Sequence, residues 1–376
     1  MSVNSVLKRE GITVVEKLPI LKTNIISNNI STKLCEAFPE HNFDKQDLFI
    51  NLSRLNMYVA EMPYTSAMAK YVSQSQSIYF NKDLDFEDLD TVAIHECLHF
   101  IQESKSPSPK RMGLADMNKN DGSIAINEAA VQLMASEANN EKKDIVTYYG
   151  LTFSTTSPTY YTLECALVKQ MAYFTGTYPL YHSAIYSNDI FKNTFIQKTN
   201  KRTYNIILKN LDKLVELEDI LSDLTNELKY SSSSATKIKL INNAINARKA
   251  EIFNLFLKTQ NIIMTNSFNM EFKNIRNMEE LKDFKSRVYN YQYAIATNKD
   301  YTFYRDFFYY TMNKIQDKES YLEKHGYILT AGDKETALML FEEKKGFFDY
   351  MRRFVRKFRK LSQVNNSEEF FQKENE

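Results

Sequence analysis

Helix breakers are scarce in this chain: 8 Gly and 7 Pro are spread over 376 residues, which points to a mainly helical protein. An excess of either charge is also lacking. The formal net charge is +1, so no global field recruits nucleic acid or an anionic membrane. Cysteine is limited to Cys35, Cys97 and Cys165, which cannot all pair within the chain and show no Cys-x-x-Cys spacing; a reducing compartment is expected. Residues 1–8 carry no apolar core of the kind a secretory signal needs, and no run approaches the ~18 apolar residues of a membrane span. The expectation is therefore cytoplasmic, with signal-independent export left open.

What is present is ordinary globular composition, 43% hydrophobic and 25% charged, on a chain long enough for two or three domains or one elaborated domain. Ile12-Thr13-Val14-Val15 and Ser77-Ile78-Tyr79-Phe80 read as strands, with polar, irregular sequence after the first. Amphipathic spacing predicts a modest helix from Gln46 to Met57. A stronger helix begins after Asp85, Glu87, Asp88 and Asp90, turns Val92, Ile94, Leu98 and Ile101 inward, and stops before Pro107 and Pro109. Ser123 can cap the next, with an apolar stripe of Ile126, Ala130, Leu133 and Met134, and another covers Tyr161 to Tyr173. Beyond residue 200 Leu214, Leu217, Leu221, Leu224 and Leu228 alternate three and four apart. Ile238, Ile241, Ile245, Ile252 and Leu255 resume that spacing after Ser231–Ser234. This is the pattern of an antiparallel helical hairpin or a short coiled coil.

The chemistry concentrates in His95-Glu96-Cys97-Leu98-His99. Only five histidines occur, and two of them share this pentapeptide. Histidines four apart on a helix lie one turn apart on one face and can reach a single ion; neutral imidazoles suit Zn²⁺. Zinc lowers the pKa of a bound water from about 15.7 towards 7, and the intervening Glu96 is placed to take its proton. The third ligand is expected from a second helix. Glu128, 29 residues after His99 (128 − 99), is the best candidate, since Ala129 and Ala130 let its helix pack close; Asp116 and Asp121 compete.

His95-Glu96-x-x-His99 followed by Asn127-Glu128 resembles the gluzincin class of zinc metallopeptidases, with their thermolysin-like catalytic core. The likeness covers roughly residues 75–140. A metzincin would need glycine at Gln102 and histidine at Lys105. The resemblance implies His95, His99 and Glu128 as zinc ligands, Glu96 as general base, and the strand at Ser77–Phe80 as a cleft border that pairs with substrate backbone. Thermolysin-like members carry Asp four residues after the glutamate, where this chain has Gln132. An amide accepts the imidazole N–H without raising ligand basicity as a carboxylate does; Asp116 or Glu137 are alternatives for that role. Donors to a tetrahedral oxyanion are sought in Tyr161 and His182.

These readings combine into an α-rich α+β fold. A zincin-like catalytic domain with a small sheet spans 1–200, and a helical domain spans 201–376. The expected function is zinc-dependent hydrolysis of a peptide or protein substrate by water that Glu96 activates, extending to a selective protease whose helical half chooses the substrate. The alternative is a non-catalytic zinc-containing protein whose helical half binds a partner. The hairpin at 207–262 is either a partner or dimer surface or a wall folded against the catalytic part. In 344–361 an apolar stripe of Phe347, Met351, Phe354, Phe358 and Leu361 faces a basic one. Docking on the domain fits the acids Glu335, Glu342 and Glu343 nearby; weak contact with an anionic membrane surface or nucleic acid is the other reading.

Overall fold

The computed structural model describes residues 3–63, 68–84, 89–108, 111–116, 124–230 and 234–328; the basic segment 344–361, Asp121 and Ser123 lie outside these. The fold is predominantly helical α+β, as expected. It begins with α1 (Val3–Arg9), β1 (Thr13–Lys17), α2 (Ile20–Ala37), α3 (Lys45–Leu52) and β2 (Asn56–Glu61). The helix expected to run to Met57 stops at Leu52. Asp44 caps its start by accepting from Asp47 N–H, and after a turn at Ser53 and Arg54 the chain enters β2. The stretch after β1, read as irregular, is the 18-residue α2. It buries Thr23, Ser27, Ile30, Ser31 and Leu34, a largely hydroxylic face that hydrophobic periodicity does not register.

Two more strands follow, β3 (Ala69–Val72) and β4 (Ser77–Asn81), and the four strands form one sheet in the order β1-β2-β4-β3. β2 and β4 are parallel; β1 and β3 run antiparallel to their neighbours, and a bulge shifts the β1 register between Val14 and Glu16. β4, the strand expected to border the cleft, is instead buried at every residue with both edges paired. Its neighbour β3 holds the edge. Val6, Ile12, Ala60, Val72 and Tyr79 make a core cluster that joins α1 to the sheet.

α4 (Leu89–Lys105) carries the histidine motif. Ile94, Leu98 and Ile101, spaced four and three apart, are fully buried. A small hairpin, β5 (Arg111–Met112) and β6 (Ala115–Asp116), leads to α5 (Ile124–Ala138). The pairs His99–Glu128 and His95–Gln132 make α4 and α5 antiparallel neighbours. A second hairpin, β7 (Asp144–Tyr148) and β8 (Leu151–Thr155), precedes α6 (Thr162–Thr175), α7 (Thr177–Tyr186) and α8 (Ile190–Lys198). The expected helical hairpin is then observed as α9 (Lys201–Tyr230) and α10 (Ala235–Asn274), antiparallel because Asn210 meets Thr259 while Glu227 meets Lys237. It folds against the helices behind the motif. Asp212 of α9 accepts from Ala125 N–H in the first turn of α5 at 3.0 Å, and Gln170 of α6 bonds Gln260 of α10 at 2.9 Å. At the far end Ile238 and Leu240 are exposed.

The chain ends its described part with α11 (Met278–Asn290) and α12 (Phe303–His325). It divides into two compact units, Met1–Asn274 with Asp283–Asn313, and Ile275–Lys282 with Lys314–Glu376; the first runs through residue 200 without a break. The second buries Ile275, Leu281, Ile315 and Leu322, and Ile328 N–H bonds Arg276 C=O at 2.8 Å. Among the described residues no helix is long and apolar enough to cross a membrane.

One buried feature of the first unit carries a pH prediction. Glu164 of α6 is fully buried and faces Glu218 of α9, which also meets Tyr149. Burial first, then the Glu218 charge, pushes the Glu164 carboxyl up; burial likewise pushes Glu218 up to about 7. A raised carboxyl stabilises the fold fully below its unfolded pKa near 4.5, and that contribution is lost as pH rises through about 7. Unfolding free energies from urea titrations should therefore fall between pH 5 and pH 8, by about 2–3 kcal/mol from Glu218 alone, with Glu164 adding in the same direction. Glu164→Gln should flatten the decline, and an unchanged slope would show that Glu164 does not contribute to it.

Candidate metal centre

α4 and α5 bring three side chains to one point. His95 and His99 are one turn apart on α4, and Glu128 sits opposite them on α5. Their facing atoms form a nearly equilateral triangle: His95 Nε2 to His99 Nε2 is 3.1 Å, His95 Nε2 to Glu128 Oε2 is 3.2 Å, and His99 Nε2 to Glu128 Oε2 is 3.3 Å. Both histidines are buried, and among the described residues this is the group of three able to hold a metal ion.

The hydrogen bonds on the far side of each ring define what the triangle presents. His95 Nδ1 lies 2.9 Å from Gln132 Oε1, and His99 Nδ1 lies 3.1 Å from Gln102 Oε1. An amide oxygen only accepts, so each Nδ1 carries the proton and each Nε2 turns a lone pair inward. Two imidazole lone pairs and a carboxylate oxygen thus converge with no hydrogen between them. This arrangement is repulsive unless a cation or an added proton occupies it. A tetrahedral zinc with bonds of about 2.0–2.1 Å separates its donor atoms by about 3.3 Å, so the triangle fits one face of that tetrahedron. Without an ion the same field acts on protons. Burial lowers the His99 imidazole, but the Glu128 charge and hydrogen bond, with Glu96 and Gln102, carry it up to about 9. Burial opposes ionisation of Glu128, and the two histidines overcome it, holding that carboxyl well below the usual range.

Gln132 is therefore the partner of His95 that the sequence left open, one turn beyond Glu128 on the same face of α5, with its own amide N–H₂ turned to Ser136 Oγ at 3.4 Å. Glu137 points elsewhere, accepting from Tyr181 OH at 2.7 Å, and Asp116 is in β6 outside the metal triangle. Glu96, buried beside the triangle, accepts from the Tyr71 backbone N–H of β3 at 2.5 Å. That bond follows from sheet register. Met68 C=O accepts from Asn81 N–H, so by alternation the N–H and C=O groups of Ala69 and Tyr71 face away from β4.

Of the two residues sought as oxyanion donors, the structure brings one to the site. Tyr161 stacks on His95, with ring centroids 6.0 Å apart and planes 10° from parallel. It occupies the left-handed region at φ 48°, ψ 37° as the residue before α6, an uncommon conformation for a bulky side chain. Burial, the Glu128 and Glu96 charges and a hydrogen bond to Glu128 keep its phenol protonated. His182 is elsewhere. It lies on α7, its Nδ1 accepting from Asn188 Nδ2 at 3.0 Å, with its ring against His41, Tyr178 and Tyr186. It does not line the cleft, so helix α7 turns it away from the chemistry.

The triangle opens on a cleft of about 860 Å³ whose walls include Lys70, Tyr71, Glu103, Arg111, Ile124 and Tyr160. Glu103 is fixed by Tyr71 OH at 2.7 Å and Ser73 Oγ at 2.8 Å, and Arg111 by Asp189 at 2.8 Å. Four site residues were silent in the sequence: Gln102, Tyr71 through its N–H, Leu114 through its N–H, and Gly113. The last sits at φ 57° in the β5–β6 turn. A Cβ there would collide with both Asn127 Oδ1 and Gln102 Nε2. A polar residue three positions after a motif histidine was the available signal for Gln102.

No family model, curated protein or solved structure matches this chain.

Proposed function

We propose that this protein is a zinc-dependent peptide hydrolase of gluzincin type, with His95, His99 and Glu128 as ligands and Glu96 as general base. The observation that carries the reading is the lone-pair triangle beside a buried carboxylate that is not part of it. When bound, zinc would supply a Lewis acid that brings the pKa of water towards about 7. Glu96 takes the proton of the attacking water and returns it to the departing amine, two transfers one carboxylate serves in turn. Its bond to Tyr71 N–H orients it from the edge strand. Tyr161, held in a strained backbone conformation against His95, is the donor to the tetrahedral oxyanion. The outer edge of β3, which among the described residues pairs only with β4, offers Ala69 and the Tyr71 C=O to an extended peptide.

Metal analysis of the purified protein, followed by cleavage of a peptide library with and without a chelator, tests this. Stoichiometric zinc is expected, with chelator-sensitive cleavage restored by zinc. Stoichiometric zinc with no cleavage of any peptide would instead favour a zinc-stabilised interaction protein.

A further inference from the structure

The triangle works only if His99 keeps its proton on Nδ1, and the chain holds a device that determines this. Gln102 Oε1 faces that nitrogen. The two ends of a carboxamide are nearly the same shape, so something must decide which end of Gln102 points at the histidine. Gln102 is joined to Asn127 by a reciprocal pair, Gln102 Nε2 donating to Asn127 Oδ1 at 3.0 Å and Asn127 Nδ2 donating to Gln102 Oε1 at 3.2 Å. Asn127 is in turn read by the Leu114 backbone N–H, which donates to Oδ1 at 2.9 Å.

A backbone N–H cannot reverse its polarity. The atom of Asn127 that it meets must be oxygen, so Nδ2 faces Gln102. The atom of Gln102 that accepts from Nδ2 must then be oxygen, and the same oxygen requires a donor from His99. Orientation thus passes from Leu114 through two amides to the imidazole, all within buried side chains that water cannot satisfy instead. The turn that supplies the N–H is pinned as well: Gly113 N–H donates to Ser187 Oγ at 2.8 Å, and Gly113 leaves the space the two amides fill.

We propose that Gln102 and Asn127 are positioning residues that set the His99 tautomer and through it the affinity of the site for zinc; this rests on the metal-site reading above. Neither touches the ion or the substrate. Asn127→Asp changes no shape but removes the Nδ2 donor, so Gln102 is no longer told which way to face. Gln102→Leu removes the acceptor altogether.

The experiment is a chelator-competition measurement of zinc affinity on folded wild type and variants. It is paired with ¹⁵N–¹H long-range spectra of the imidazoles in metal-free, ¹⁵N-histidine-labelled protein, recorded at a pH above about 9, where His99 has given up its extra proton and is left with one N–H. Asn127→Asp and Gln102→Leu are each expected to weaken zinc about ten- to a hundredfold, the range for loss of a hydrogen bond behind a metal ligand, and to lose the single Nδ1–H pattern of His99. Should Gln102→Leu fail to fold, the near-isosteric Asn127→Asp decides. Wild-type affinity and an intact His99 pattern in a folded Asn127→Asp protein would overturn the proposal while leaving the metallopeptidase reading standing. A wild-type protein that binds no zinc would overturn both.

Discussion

Glu96→Gln is expected to lower peptide cleavage by about a hundred- to ten-thousandfold while leaving zinc content at wild-type stoichiometry, because proton transfer by a positioned carboxylate has that worth. The substitution is informative because it changes little else. Glu96 is not one of the three converging donors, so the triangle keeps all its atoms. Its structural contact also survives. The Tyr71 N–H that donates to Glu96 Oε2 can donate equally to the amide oxygen of glutamine, and the edge strand keeps its tie to α4. Glu96→Ala would break that tie and confuse loss of the base with displacement of β3. The measurements are kcat/KM on the best library peptide and zinc per chain by metal analysis. Retention of more than a tenth of wild-type activity in a zinc-loaded Glu96→Gln protein would remove Glu96 from the role of base.

A feature of this protein is legible in the sequence when spacing along one element carries it. His95, Glu96 and His99 are fixed relative to one another by a helical turn, and Gln132 follows Glu128 by the same interval, so both sets can be read from the chain. Their meeting is an inference from residue type, and the antiparallel packing of α4 on α5 brings it about geometrically. The helical hairpin is equally plain, since Leu214, Leu217 and Leu221 of the first spacing and Ile241, Ile245 and Ile252 of the second are buried, while Leu224, Leu228 and Leu255 are half-buried and Ile238 is exposed. What escapes is burial by residues that do not look buried. α2 turns Thr23, Ser27 and Ser31 into the core, with Ser31 Oγ bonded back to Ser27 C=O at 2.7 Å, so its inner face reads as polar. β3 is four residues long and includes a lysine that pairs with Glu10, as edge strands tend to. So short a strand, with a lysine in it, leaves β4 as the visible choice for the cleft edge. His182 is the spare histidine nearest Tyr161 along the chain, but its surroundings, His41 and two tyrosines, are set by α7 and cannot be read from sequence separation.

Glu128→Ala should weaken zinc at least about a thousandfold, a loss of about 4 kcal/mol, and should remove most of the thermal stabilisation that zinc gives the wild type. The charge arithmetic favours a large effect. Two neutral imidazoles and one carboxylate leave a dication with a single formal positive charge in a buried site. Without Glu128 the full double charge must be held by two largely buried nitrogens with no anionic ligand beside them. The same variant should behave oppositely without metal. In the wild type Glu128 draws a proton to His99 and so compensates part of the lone-pair repulsion; removing it takes away both that pull and one of the three converging lone pairs. Metal-free Glu128→Ala should therefore fold and melt within a few degrees of metal-free wild type, while the two diverge as zinc is added. Binding only to the folded state stabilises by RT ln(1 + [L]/Kd), about 4 kcal/mol at a thousandfold excess over Kd, and a thousandfold weaker site forfeits nearly all of it. Scanning calorimetry across a zinc titration measures both parts. A Glu128→Ala protein whose midpoint climbs with zinc as the wild type's does would show that another residue supplies the third ligand. Asp116 of β6, outside the triangle but in the first unit, is then the position to substitute next.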